Sequence, residues 1–188
     1  MGKVLYGIKN VHVAVLTETD GAITYGTPFA VEGATGFSPE PQGESTIFYA
    51  DNKIYFRKDQ NNGYEGELTL AVTPEKFLTD ILGRSKDTSN GLVYETGNDS
   101  QKRFALMFEA EGDPLNRRYV YWDCTTTRPN RSFATTEENI EVGTESLTIT
   151  IAPRSTDSAV GGYMEKGENN VAAYNAFFNS VVDIPASL

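Results

Sequence analysis

Alternation of apolar and polar residues is the dominant signal along this chain. Residues 11–16, VHVAVL, alternate and are β-branched, as a strand requires. In YEGELTLAV (64–72), Tyr64, Leu68, Leu70 and Val72 share one face, and Glu65, Glu67 and Thr69 share the other. That pattern predicts a half-buried antiparallel strand with one wet side. ESLTITIAP (145–153) points Leu147, Ile149 and Ile151 inward and Ser146, Thr148 and Thr150 outward. RFALMFEAE (103–111) places Phe104, Leu106 and Phe108 on one face. RRYVYWDCTT (117–126) alternates Tyr119, Tyr121 and Asp123 against Val120, Trp122 and Cys124. TPFAV and LVYE add short strands.

Helical spacing occurs twice. Thr73 is placed to cap a helix with Pro74 at its first position, Phe77 and Ile81 pair at i,i+4, as do Leu78 and Leu82, and Gly83 ends it. A second helix is expected near the C-terminus, capped by Asn169 or Asn170 and stopped before Pro185. Residues 33–45, with three Gly and two Pro, read as a long loop, and 127–142 as a second polar stretch. Asn62-Gly63 tolerates positive φ, so an NNG turn is expected to close a hairpin before residue 64. Residues 154–170, rich in Ser, Asp, Gly and Asn, read as a linker.

FYADNKIYF (48–56) fits two geometries. A two-residue turn at Asp51-Asn52 sets Tyr49 opposite Ile54 and Phe48 opposite Tyr55. A single continuous strand instead puts Phe48, Ala50, Ile54 and Phe56 in the core, with Tyr49, Asp51, Lys53, Tyr55 and Arg57 outside. Those five are the candidate subunit interface, because tyrosine suits a surface that is wet before assembly and dry after.

The sum is a mainly β protein: an antiparallel sandwich or barrel with a short flanking helix and a C-terminal helix. Its 188 residues suit one domain with an appended arm, divided at 1–153 and 154–188. No apolar run approaches the ~18 residues of a membrane span. The N-terminal MGKVLYGIKN lacks the apolar core of a signal peptide, so folding in a cytosol is expected. The single cysteine, Cys124, excludes an internal disulfide and reads as a small buried residue. A net charge of −10 does not suit a protein that grips phosphates.

Catalytic constellations are scarce. His12 is the only histidine, in mid-strand, and no G-x-S-x-G elbow, histidine metal pair, phosphate loop or EF-hand occurs. No cofactor is called for. Paired carboxylates among Glu65, Glu67, Glu109 and Asp123 are the one enzyme class left open. A sugar-binding or host-surface sandwich using Tyr121 and Trp122 is an alternative, as is an assembly protein with sticky strand faces.

Several segments in order, GIKNVHVAVL, TPFAVEGA, ESTIFYADNKIYF, NNGYEGELTLAVTPEKFLTDILG, FALMFEAEGD, RRYVYWDCTTTRP and TESLTITIAP, resemble the major tail protein of long-tailed, non-contractile phages and prophages of Gram-positive bacteria. The resemblance runs from about residue 5 to residue 153. It implies a tail tube subunit and no enzyme: hexameric rings whose strands join into one barrel, stacked around a tape-measure protein between initiator and terminator proteins. DNA would pass through without specific binding, in a virion tail assembled in the host cytoplasm, with no membrane involved. A tailocin or secretion tube of the same fold is the further alternative. Six copies at −10 give about −60 per ring, a wall that would repel DNA wherever charge faces the channel. Glu65 and Glu67 are the candidate lumen residues. Residues 33–45 or 127–142 are expected to order only in the assembled tube.

Overall fold

A computed structural model describes residues 7–133 and 143–184. Among these described residues, fourteen strands and two helices follow in chain order. The first seven strands are β1 (Ile8–Thr19), β2 (Ala22–Tyr25), β3 (Phe29–Ala30), β4 (Ala34–Pro41), β5 (Ser45–Ala50), β6 (Lys53–Asp59) and β7 (Tyr64–Leu70). Then come α1 (Glu75–Asp80), β8 (Ser85–Lys86), β9 (Val93–Tyr94), β10 (Phe104–Ala110), β11 (Arg118–Thr126), β12 (Asn130–Arg131), β13 (Glu145–Ile151), β14 (Gly161–Met164) and α2 (Val171–Asn175). The fold is thus mainly β, as the alternation predicts.

The main sheet runs β2-β1-β10-β11-β13-β7-β4, with β3 also on β1, β12 on β13 and β14 on β11. Every pairing is antiparallel. The link between β3 and β4 ties the two ends of that order together. Val31 N–H donates to Val11 O at 2.8 Å, and Ala71 N–H donates to Gly33 O at 2.8 Å. The sheet therefore curls towards a barrel, which shields edges that would otherwise seek partners.

The inward face of each alternating strand fills the interior. Val13, Leu68, Leu70, Leu106, Leu147, Ile149 and Ile151 are all essentially inaccessible. The four apolar residues of the predicted helix, Phe77, Leu78, Ile81 and Leu82, join the same core, with Phe77 edge-on to Phe104 at 5.8 Å. The helix starts differently from expectation. Pro74 is its N-cap, and among the described residues the buried Thr73 hydroxyl has no hydrogen-bond partner. Thr73 N–H instead donates to the Glu145 carboxylate at 3.0 Å. Gly83 ends the helix with φ +75°, as predicted.

Residues 33–45 are not a loop. Ala34–Pro41 form β4, an edge strand paired only with β7 in the sheet order. Pro39 and Pro41 are tolerated there because an edge strand leaves one side of its backbone unpaired. Of the segments expected to order only on assembly, this one is already built in the single chain. Residues 134–142 of the other lie outside the described residues.

β11 departs from simple alternation. Phe104 pairs with Cys124 but Leu106 pairs with Tyr121, so the strand bulges at Trp122-Asp123. The bulge brings Cys124 and Tyr121 to the main core, while Val120 and Trp122 face a second cluster with Met107 and Phe177. It also marks where the β11 edge changes partner, from β14 at Arg118–Tyr121 to β13 at Cys124–Thr126.

Residues read as a linker carry β14, and glycine is what lets it pair. A Cβ at Gly161 would lie 2.5 Å from the Tyr121 ring. Helix α2 is shorter than the sequence suggests, and no side-chain cap hydrogen bond starts it. The Asn170 side chain instead accepts from Gly167 N–H and donates to Glu165 O, both at 2.8 Å.

Candidate assembly surface

Two surfaces are built by β4–β7, which form one long ribbon. β4 pairs with β7 from Ala34↔Leu70 to Pro41↔Tyr64 within the sheet. Beyond it the two chains stay joined. Asn62 N–H donates to Gln42 O, Gln42 N–H to Gly63 O, and Gln60 N–H to Glu44 O, each at 2.9 Å. The ribbon then becomes the β5–β6 hairpin, from Ser45↔Asp59 to Ala50↔Lys53. The NNG segment thus does not close the hairpin but crosses to Gln42. The strands approach closely at this waist: a Cβ on Gly43 would fall 2.2 Å from Gln60 O. Gly63, at φ +93°, has no room either, since a Cβ would meet Ile151 O at 1.8 Å.

The turn is Asp51-Asn52, with φ of +51° and +58°. Two positive φ values match the type I′ turn whose twist suits a two-residue hairpin. The continuous-strand reading of 48–57 is therefore wrong. Tyr49 lies opposite Ile54, as the turn reading expects, but Phe48 lies opposite Phe56, and Tyr55 is an extra bulged residue. Of the five candidate interface residues, Asp51 is in the turn. By register, Tyr49 and Arg57 share one face and Lys53 takes the other.

Among the described residues nothing covers either face. Ile47, Tyr49 and Ile54 occupy one face, Phe48 and Phe56 the other, and all are exposed; Phe48 is 59%, Ile54 57% and Phe56 51% accessible. The single-strand reading placed these last three in the core, because apolar residues normally go inside. Tyr55 is 78% accessible. Arg57 donates to Asp59 Oδ1 at 3.1 Å. Hydrogen bonds from Ser45 and then Arg57 hold the Asp59 carboxyl below its ordinary range.

The second surface is the wet side of β4, β7 and β13. The register aligns Glu40, Glu65 and Thr150 in one row, Ser38, Glu67 and Thr148 in the next, and Gly36, Thr69 and Ser146 in a third. Every side chain in this grid is a carboxylate or a hydroxyl. Glu65 and Glu67 are exposed at its centre. Ser38 and Glu40 are not legible in the sequence, because the prolines beside them disguise β4 as a loop.

The remaining carboxylate candidates are held by cations. Asp123 is buried and accepts from Arg103 through both oxygens, one at 2.8 Å. Glu109 accepts from Arg118 at 3.1 Å and from the Asn10 side chain. The sugar-binding alternative loses its platform. Trp122 is buried and donates Nε1–H to Val182 O at 2.8 Å, while Tyr121 packs on Phe37, Tyr64 and Phe108. Burial pushes the Tyr121 hydroxyl up to about 12 and raises the Cys124 thiol. His12 stacks on Phe178 at 4.7 Å, with Nδ1 2.8 Å from Asn10 O. Among the described residues no group of three or more His, Cys, Asp or Glu side chains is placed to hold a metal ion.

The sequence matches the phage tail tube protein family over residues 2–168, and the chain belongs to that family. It is accordingly a structural subunit of a tail tube. No curated protein matches it. Solved structures are more remote. A chain of the PVC sheath-tube complex of an extracellular contractile injection system in the extended state shares 9% identity at a TM-score of 0.45, covering 84% of this chain and 89% of that one. A chain of the anti-feeding prophage cap (AFP tube terminating cap) shares 13% at 0.45, covering 87% and 94%. Hcp1 from Flavobacterium johnsoniae shares 11% at 0.33, covering 84% and 100%.

Proposed function

We infer that the subunit closes into a ring, six copies round, and that rings stack into the tube through the β5–β6 hairpin. The observation that carries this is the hairpin itself: an aromatic ribbon outside the barrel with both faces bare. Large exposed apolar patches mark interaction sites. Tyr49, Asp51, Lys53, Tyr55 and Arg57 belong to this contact together with Phe48, Ile54 and Phe56. The carboxylate and hydroxyl grid around Glu65 and Glu67 is assigned to the lumen. It offers phosphates no cation, so DNA slides past without adhering.

In this reading residues 154–188 act as an arm on the 1–153 tube domain. The tube encloses a tape-measure protein, is bounded by initiator and terminator proteins, forms in the host cytoplasm and performs no catalysis. A tube subunit of a tailocin or secretion particle would share every feature above, and the neighbouring genes separate the two. Negative-stain micrographs of concentrated protein test the proposal. Rings or tubes are expected, lost in Tyr55→Glu; assembly unchanged by Tyr55→Glu would remove the hairpin from the contact.

A further inference from the structure

The two faces of the hairpin make a more specific demand. A ribbon lying on one neighbour needs one apolar face, and its other face stays polar, as in any half-solvated antiparallel sheet. Here both faces are apolar. Ile47, Tyr49 and Ile54 point one way, and Phe48 and Phe56 the other. We propose that the hairpin is a tongue clamped between two other copies of this chain, each covering one face.

The occupant is argued from reach and charge. From Pro41, where the ribbon leaves the sheet, to Ala50 at the turn, an extended chain at about 3.3 Å per residue covers roughly 30 Å. A folded chain of this length is about 40 Å across, so the tongue penetrates most of the depth of a neighbouring subunit. It also carries a small positive charge in an acidic molecule. Residues 45–59 hold Lys53, Arg57 and Lys58 against Asp51 and Asp59, a net +1 that leaves −11 on the rest of the chain.

The two faces divide this charge. Arg57 is neutralised by Asp59, so the Tyr49 face is close to neutral. Lys53 and Lys58 flank Phe48 and Phe56 on the other face, and among the described residues no carboxylate pairs with either. One face therefore fits a neutral apolar surface. The other fits an acidic surface of the kind this chain presents. A slot between two copies supplies both.

The inference rests on the tube reading above, and three full-length variants separate the two. Tyr49→Glu/Ile54→Lys alters one face and Phe48→Glu/Phe56→Lys the other. In the third, residues 45–59 are replaced by a short Gly-Ser turn. None touches the core, so each keeps the wild-type melting temperature. Wild-type protein at its highest soluble concentration is expected to form tubes in micrographs and to sediment as large particles. All three variants are expected to lose both. If one face variant assembles as wild type while the other two do not, the clamp is overturned and the tube reading stands. If the replacement variant assembles, the hairpin is no contact at all. A wild-type chain that never assembles overturns both.

Discussion

Asp113 holds the turn between β10 and β11 together. Its carboxylate accepts from Leu115 N–H at 3.0 Å and from Arg117 Nε at 2.6 Å. The Arg117 guanidinium first, then the backbone N–H groups, bring its pKa down from 3.8 to about 2. A folded-state pKa below the unfolded value stabilises above the unfolded pKa, and that stability is lost as pH falls through the folded one. The contribution of Asp113 is thus complete above about pH 4 and gone below about pH 2. Asp113→Asn should destabilise the subunit at neutral pH, with the gap to wild type closing across that acid window. Thermal melts of both proteins from pH 7 to pH 2 check this. A gap that stays constant would mean the carboxylate acts by shape and not by charge.

At the scale of elements, legibility followed burial on one side. β7 and β13 were plain because their inward residues alternate without a break, and α1 because Phe77, Leu78, Ile81 and Leu82 share one stripe. The wet grid was half legible: Glu65 and Glu67 followed from β7 alone, whereas Ser38 and Glu40 needed β4. Three features were hidden for physical reasons. β4 is an edge that tolerates proline, the β11 bulge moves Cys124 across the strand, and β14 depends on partners far away in sequence. The hairpin broke the rule itself, since its aromatics stay outside until something covers them. The C-terminal arm and its helix are legible in the sequence, but what anchors them is not, because the anchors are non-local. Arg154 is buried over the Trp122 ring at 5.1 Å. It donates to Asp183 at 2.7 Å and to both oxygens of Asp157, and it reaches the Tyr25 hydroxyl at 3.4 Å. Arg118 lies 4.0 Å over the Tyr174 ring and donates to Tyr174 O. Arg154→Ala should free the arm and cost about 1–3 kcal/mol, less than a fully buried pair because Asp183 keeps much of its solvent. Limited proteolysis is the sharper readout: cleavage after Phe177 or Phe178 should accelerate while the core strands stay resistant. Unchanged cleavage would place the arm's anchorage in Trp122 and Phe177 alone.

For the whole molecule, charge sets the conditions under which copies meet. Each subunit carries −10, so every approach is opposed by repulsion spread over the surface. The attraction between a +1 hairpin and a −11 remainder acts at contact. Salt treats the two differently. The screening length falls from about 30 Å at 0.01 M to about 8 Å at 0.15 M, short against a subunit about 40 Å across. Repulsion between whole bodies is then largely removed, whereas ion pairs closed inside an interface are screened much less. Apolar burial along Tyr49, Tyr55 and Phe56 does not depend on screening of charge at all. Assembly should therefore rise with ionic strength through this range, and rise again as pH falls towards the sequence pI of about 4.6. Light scattering of concentrated protein against salt, with micrographs at each end, measures it. Assembly that weakens steadily with salt would mean that ion pairs, led by Lys53 and Lys58, hold the subunits together more than the aromatic faces do.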